Sequence, residues 1–284
     1  MHNGFNFIHL RPIIYNEMDY RKALKDKKRI VIKIGTSSLT FPNGRLHLRR
    51  IEHITNVIAT LKQQGRQVVL VSSGAIAVGV GKLGQKKRPN TIPGKQAMAA
   101  IGQAILAKIY RKFFEVHNIN VGQILLTSDV ITNEEKHRNA ENTFAKLLEI
   151  GAVPIVNEND TVSTDEIEIG DNDTLSAMVA SICKADLLII LSDIDGFFDK
   201  DPRKNPDAKR ISIITEVNEE VSNAAGSAGT SFGTGGMSTK ISAVKICHKD
   251  HIDTIIANGD TPEILFDIFD GKDRGTLFVA PNRV

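Results

Sequence analysis

The feature that most limits what this chain can become is a series of short, continuously apolar segments set between longer stretches of helical spacing. The segments are RIVIKIG (29–35), RQVVLVSSG (66–74), VGQILLT (121–127), AVPIVNEND (152–160), ADLLIILSD (185–193) and DTIIANG (253–259). A strand apolar at consecutive positions must be buried on both faces, and that requires a mainly parallel sheet covered by helices on either side. The intervening stretches supply the cover. LHLRRIEHITNVIATLKQQG (46–65) repeats apolar residues every three or four positions and stops at Gly65, a helix with a C-cap glycine. Further helices are expected from about Lys95 to His117, over 133–149 with acidic residues in the first turn, from about Asp173 to Cys183, after the loop at 233–240, and over 262–269. ISIITEV (211–217) and GTLFVA (275–280) read as additional strands, and TVSTDEIEIGDND (161–173) as a hairpin. The alternation predicts an α/β fold, a three-layer sandwich with a central, mainly parallel sheet and helices on both faces.

Bulk properties narrow the class of protein. The 284 residues carry 41% hydrophobic and 24% charged side chains, enough for a sizeable core, with a formal net charge of +3. That near balance leaves no clustered basic face for nucleic acid, and the run Lys25, Lys27, Lys28, Arg29 reads as a solvated patch. The two cysteines, Cys183 and Cys247, sit in apolar helical context without a C-x-x-C partner, as buried thiols of a reducing compartment do. No apolar run approaches a membrane span, and the first residues lack the pattern of a signal peptide, so the expected location is cytoplasmic, with no membrane partner. Residues 1–17 have no period and are expected to form a poorly ordered leader, with one compact unit over 18–284.

In open parallel sheets, ligands bind beyond the carboxyl ends of the strands. Four of those ends are polar here: Lys33-Ile34-Gly35-Thr36-Ser37-Ser38, Ser72-Ser73-Gly74-Ala75, Asn157-Glu158-Asn159-Asp160 and Ser192-Asp193-Ile194-Asp195-Gly196. One such end is only a turn; four on one edge read as a binding cleft. Lys33, inside an apolar strand, is either an edge lysine reaching for solvent or an ammonium aimed at phosphate oxygens, with Gly35 letting the backbone come close. GTGGMSTK (233–240) brings a second cation, Lys240, behind a glycine-rich loop. It is not a P-loop, because Lys240 follows Gly236 by four residues and Ile241 stands where a hydroxyl residue belongs.

Other matches fail on context. Gly79-Val80-Gly81-Lys82-Leu83-Gly84 spells G-x-G-x-x-G, but it starts five residues past a strand and lacks the acidic residue about 20 positions on. Asp193-x-Asp195-Gly196 lacks the rest of a calcium loop. The eight histidines show no metal-ligand spacing, so no protein metal site is expected.

Seven ordered motifs carry a resemblance. VIKIGTSSL, VLVSSGAIAVG, KQAMAAIGQ, IVNENDTV, IGDNDTLSA, LSDIDGFFDKDPRKNPDA and GTGGMSTKISA resemble the glutamate 5-kinase family of the amino-acid-kinase superfamily, from about Met18 to the C-terminus. The resemblance implies ATP-dependent phosphorylation of the γ-carboxylate of L-glutamate for proline biosynthesis, with magnesium accompanying the nucleotide. It implies an N-terminal glutamate lobe over about 18–180 and a C-terminal ATP lobe over about 181–284. Matched positions for ATP are Lys33, Ser192, Asp193, Thr234, Gly235, Gly236, Met237, Ser238, Thr239 and Lys240; those for glutamate are Ser73, Asp160 and Asn172, with Asp173 organising the two lysines. The adjoining Gly74 and Asn157 are grouped with the substrate residues. Proline as feedback inhibitor and a homo-oligomeric state are further implications. Many family members carry a PUA domain after the kinase, and this chain resembles the shorter form without one.

The residue types suit that chemistry. A carboxylate with an ordinary pKa of about 4.3 is already ionised, so the transfer needs no general base, only two anions brought together and their charge stabilised. Lys33 and Lys240 supply cations, and Asp173 at a helix start can hold both. Asp160 suits an α-ammonium, while Asn157, Asn172 and Ser73 can donate to carboxylate oxygens. Plainer roles stand beside these: Asp160 and Asn172 as turn caps, Ser72 and Ser73 as strand-end backbone partners, Phe197 and Phe198 as turn contacts rather than walls for adenine. A non-catalytic amino-acid-binding protein and an acetylglutamate-kinase-like enzyme are the alternative functions.

Overall fold

The computed structural model describes residues 17–162, 172–227 and 236–281. Residues 1–16 of the expected leader, most of the expected hairpin, and Thr234 and Gly235 lie outside these. The chain runs α1 (Glu17–Lys22), β1 (Arg29–Ile34), α2 (Thr36–Leu39), α3 (Leu48–Gln63), β2 (Gln67–Val71), α4 (Ala75–Lys82), α5 (Ile92–Glu115), β3 (Val121–Leu126), α6 (Glu134–Glu149) and β4 (Val153–Glu158). It continues through α7 (Asn172–Ile182), β5 (Leu187–Ser192), β6 (Ile213–Ile214), α8 (Glu219–Ser227), α9 (Met237–Lys249), β7 (Asp253–Asn258), α10 (Ile264–Phe269) and β8 (Thr276–Phe278).

The strands form one eight-stranded sheet in the order β3-β4-β2-β1-β5-β7-β8-β6. Every pairing is parallel except β7 with β8. The chain builds outward from β1 through β2 toward β3 and β4, then returns to lay β5 on the other side of β1. The order therefore reverses at β1–β5, and a parallel sheet opens its ligand crevice at such a point. Lys33 is in register with Val71 of β2 and Ile190 of β5, in the middle of the sheet, which removes the edge-lysine reading.

Alternation along the strands divides the core. Ile30, Ile32, Leu70, Ile155 and Ile189 pack under α3, α5 and α10 on one face, while Val31, Val71, Val156 and Ile190 pack with α6, α7 and α9 on the other. Lys33 shares parity with Val31, so its side chain leaves β1 on the α7–α9 face. Cap chemistry sets the helix starts: Thr91 accepts from Gly94 N at the head of α5, and Asn133 accepts from Lys136 N at the head of α6.

Several expectations change in detail. The helix expected from Lys95 begins at Ile92, and the segment read as 211–217 pairs only over Ile213–Ile214. An unexpected helix, α4, follows β2 directly and contains Gly79 and Gly81 of the rejected dinucleotide string. Their role is packing: a Cβ on Gly79 would lie 2.1 Å from the Met98 carbonyl oxygen, and one on Gly102 would lie 1.8 Å from that of Ala75, so α4 and α5 touch backbone to backbone. The basic run is also not simply solvated, since Lys27 pairs with Asp253 at 2.6 Å and Arg29 donates to the Cys183 carbonyl at 2.6 Å. The buried Arg21 guanidinium bonds the carbonyls of Ser212, Lys272, Arg274 and Gly275, tying α1 to the last turn before β8. Among the described residues no helix is long and apolar enough to cross a membrane, and both cysteines are free thiols.

Gly102→Ala tests the close approach of α4 and α5. Alanine gains about 1 kcal/mol in helix propensity, yet the added methyl should destabilise the fold by about 2–3 kcal/mol net through overpacking, read from urea unfolding.

Candidate active site

Two helix N-termini and four strand ends meet at the crevice. Asp173, in the first turn of α7, has a fully buried carboxylate that takes one lysine on each oxygen: Lys33 Nζ lies 2.7 Å from Oδ1 and Lys240 Nζ lies 3.0 Å from Oδ2. The Thr239 hydroxyl donates to the same Oδ2 at 3.0 Å. Burial alone pushes the Asp173 carboxyl up, but the two ammonium groups overcome it and hold the group at about 2. Asp173 is therefore ionised throughout the neutral range. The three ionisable side chains carry a formal charge of +1, so the cluster attracts an anion rather than neutralising itself.

On the β5 side of this cluster lies a cleft of about 500 Å³, whose lining includes Ser192, Asp193, Phe198, Gly236, Met237 and Lys240. Lys240 thus belongs both to the cleft and to the Asp173 cluster. Gly236 is the N-cap of the 13-residue α9 and no side chain caps that end, so the helix presents backbone N–H groups there, as phosphate-binding helix starts do. Phe197 and Phe198 both line the cleft; Phe197 is buried in the core, edge-on to Phe278 with ring centroids 6.2 Å apart, whereas Phe198 is partly exposed. Of the loop residues expected at the nucleotide, Gly236, Met237 and Lys240 line this cleft, whereas Ser238, which is exposed, and Thr239 do not.

On the β2–β4 side, Asn172 gathers the other strand ends. Its Nδ2 donates to the Ser72 carbonyl at 2.9 Å, Ser73 Oγ at 2.7 Å and Asn157 Oδ1 at 3.0 Å. Those bonds fix the polarity of every group involved. The Asn172 amide nitrogen, expected from the sequence to donate to a substrate carboxylate, is here engaged by three protein acceptors, and its Oδ1 is the acceptor end of the group. Ser73 accepts through Oγ and keeps its O–H to donate, and Asn157 accepts through Oδ1 and keeps its amide N–H groups. Gly74 turns the chain into α4 at φ +88°, with the Thr36 side chain 3.2 Å from where a Cβ would stand. Asp160, just past β4, is raised to about 6 by burial and by Glu158, against the opposing pull of Arg88.

Several of these partners carried no sequence signal. Arg88 and Tyr110 (which bonds Ser72 at 3.0 Å) meet the site only through long-range folding, whereas Glu158 belongs to the polar end of β4 already singled out. Lys33 was visible because a lysine inside an apolar strand is unusual, Lys240 because it ends a glycine-rich loop, and Asp173 because it lies in the GDND segment of the resemblance.

Comparison with known proteins accords with this geometry. Residues 28–258 match the model of the amino acid kinase family. The glutamate 5-kinase of Clostridium perfringens is 56% identical over 264 residues, covering 92% of this chain and 98% of its own length. That of Enterococcus faecalis is 49% identical over 263 residues, covering 91% and 97%. Among solved structures, UMP kinase from Ureaplasma parvum superposes with a TM-score of 0.62 at 18% identity, over 89% of this chain and 99% of that one. Isopentenyl phosphate kinase from T. acidophilum gives 0.60 at 18% identity, over 88% and 100%. At such identity the two structures speak for the fold alone.

Asp160 generates a stability prediction. Its folded pKa of about 6 exceeds the ordinary 3.8, so its contribution is full below pH 3.8 and is lost as pH rises through 6. Asp160→Asn should therefore stabilise the ligand-free protein by about 2 kcal/mol at pH 8 and by almost nothing at pH 4, measured by denaturant unfolding at both pH values.

Proposed function

The chain belongs to the amino acid kinase family, among its glutamate 5-kinases, and from that premise we propose how its residues divide the work. The reaction moves the terminal phosphoryl group of ATP to the γ-carboxylate of L-glutamate, the first step of proline biosynthesis. A γ-carboxylate oxygen forms the new bond to phosphorus as the bond from phosphorus to the ADP oxygen breaks, giving γ-glutamyl phosphate and ADP.

The observation that carries the assignment of roles is the pair of lysines held by one buried carboxylate. Lys33 comes from the central strand and Lys240 from α9, so the two ammonium groups flank the passage between the cleft and the Asn172 cluster. They neutralise charge spread over the transferring group, and Asp173 keeps them oriented. Asp173 stays ionised at neutral pH, so it acts by position and not as a proton donor. The cleft takes the nucleotide, with Ser192, Asp193 and the α9 start at its phosphate end and Gly35 beside Lys33 allowing close backbone approach. Thr234 and Gly235 extend the same loop in this reading. Magnesium, arriving with the nucleotide, would shield its phosphates. Asp193 and Asp201 on the cleft lining offer oxygen donors of the kind that ion prefers.

At the glutamate end, the Ser73 hydroxyl and the Asn157 amide donate to carboxylate oxygens. Asp160 and Asn172 Oδ1 accept from the α-ammonium. This polarity favours a free amine over an acylated one, which presents no cation to Asp160. Proline shares the α-amino and α-carboxylate groups and would compete for the same contacts. The free, buried thiols suit the cytoplasmic placement proposed for the chain.

Glutamate-dependent ADP release with N-acetylglutamate as control is the direct test: turnover on glutamate and none on the acylated analogue is expected, and the reverse preference would overturn the reading. Lys33→Ala and Lys240→Ala should each lower kcat by about 100-fold or more, as for a lost donor to transition-state charge; near-normal turnover in either would remove the two-lysine scheme. Asp160→Ala should raise the KM for glutamate at least tenfold while leaving that for ATP alone, since the charge-assisted hydrogen bond it offers the ammonium is worth about 1.5–3 kcal/mol.

A further inference from the structure

Helix α5 touches the glutamate end of the site from behind. Gln103 and Tyr110 stand seven residues apart, two turns, and so share one face of the helix. Gln103 Nε2 donates to the Glu158 carbonyl at the end of β4 at 3.4 Å. The Tyr110 hydroxyl bonds Ser72 Oγ at the end of β2 at 3.0 Å, with Tyr110 wholly buried. Just before Gln103, Gly102 lies directly against the carbonyl of Ala75, two residues past Ser73. The helix therefore meets the Ser72–Ala75 turn at two points and the β4 end at a third. A cavity of about 240 Å³ separates α5 from the sheet here, with Tyr110, Gln103, Ser72, Gln123, Leu125 and Asn157 in its lining. Leu106 and Ile155 pack beside Tyr110 here, so the two hydrogen bonds are polar contacts set within an otherwise apolar interface.

Ser72 is held at three atoms: its N–H donates to the Val156 carbonyl at 2.8 Å, its carbonyl accepts from Asn172 at 2.9 Å, and its hydroxyl meets Tyr110. Burial pushes the Tyr110 phenol up to about 12, against a smaller opposing effect of the Ser72 bond, so the hydroxyl keeps its proton. We propose that Tyr110 is a positioning residue for glutamate: through Ser72 it fixes the neighbouring Ser73 hydroxyl and the Asn172 amide in the orientation that receives the amino acid. The proposal rests on the assignment of the Ser73–Asn157–Asn172 cluster to glutamate. It separates the two substrates, because no residue of α5, β2 or β4 lines the nucleotide cleft. A core tyrosine that served packing alone would show no such separation.

Initial-rate kinetics on the full chain, varying each substrate, test the idea with Tyr110→Phe, which keeps the ring and deletes the hydroxyl. The KM for glutamate should rise about five- to tenfold, the value of one buried hydrogen bond, with kcat within twofold and the KM for ATP unchanged. Ser72→Ala should do the same, and the double variant should be no worse than the larger single effect, because both remove one bond. If Tyr110→Phe does not fold, Ser72→Ala decides by the same split. An unchanged glutamate KM, with or without a lowered Tm, overturns the proposal, as do equal rises in both KM values or multiplicative effects in the double variant. Absence of glutamate-dependent ADP release from the unmutated chain would instead overturn the functional assignment itself, so the two failures are distinct.

Discussion

Three charges share one buried point in this molecule, and the fold is arranged to keep them there. Lys33, Asp173 and Lys240 are each under a tenth exposed. An ion in such a place costs several kcal/mol unless it is paired. Asp173 pairs both lysines, and they in turn hold it ionised. Each member comes from a different element: the central strand, the start of α7 and the first turn of α9. The contact therefore exists only when β1 and β5 lie side by side and the helices after β4 and β6 cover the same face. Strand parity decides the rest, because a slip of one residue in β1 would turn Lys33 toward α3 and α5. The residual positive charge of the cluster makes this a site built for an incoming anion.

On either side of that point the protein uses different materials. The side proposed for the nucleotide is an open cleft with the start of α9 and Gly236 in its lining, suited to a large, flexible polyanion. The side proposed for glutamate is a compact hydrogen-bond cluster gathered around one amide. Asn172 sits immediately before Asp173, so the residue that organises substrate polarity and the one that organises the lysines are consecutive on one helix start. Movement of α7 would disturb both at once. The backbone-to-backbone packing of α4 on α5 holds the opposite wall, since Ala75 begins where the Ser73–Gly74 turn ends.

The layer architecture was legible because a parallel sheet buries both faces of its strands, and RIVIKIG and ADLLIILSD can be little else. The paired lysines and Asp173 were legible because ionic residues in such surroundings need a reason. What was not legible depended on distance along the chain. Nothing local marks Tyr110 as the partner of Ser72, or Arg88 as a neighbour of Asp160. Helix α4 was hidden because its glycines lower helix propensity, while their packing against Met98 and Gly44 backbone restores it. Asn172 was legible as a residue but its orientation was not: its amide can donate or accept, and only the positions of Ser72, Ser73 and Asn157 turn its nitrogen toward the strand ends.

The same geometry localises pH sensitivity. Asp173 titrates near 2, far below any working pH, so the phosphoryl-transfer cluster does not lose its central charge in mild acid. Asp160 is different: burial and Glu158 bring it to about 6. Protonation there removes the acceptor best suited to an α-ammonium without touching the lysine clamp. An ammonium bound beside it would pull its pKa back down, so in the proposed assignment glutamate and protons compete for one carboxylate. Acidification should then weaken capture of the amino acid before it weakens transfer of the phosphoryl group. The desolvation that makes Asp160 costly in the free protein is the same property that makes its ionised form a strong partner for the substrate cation.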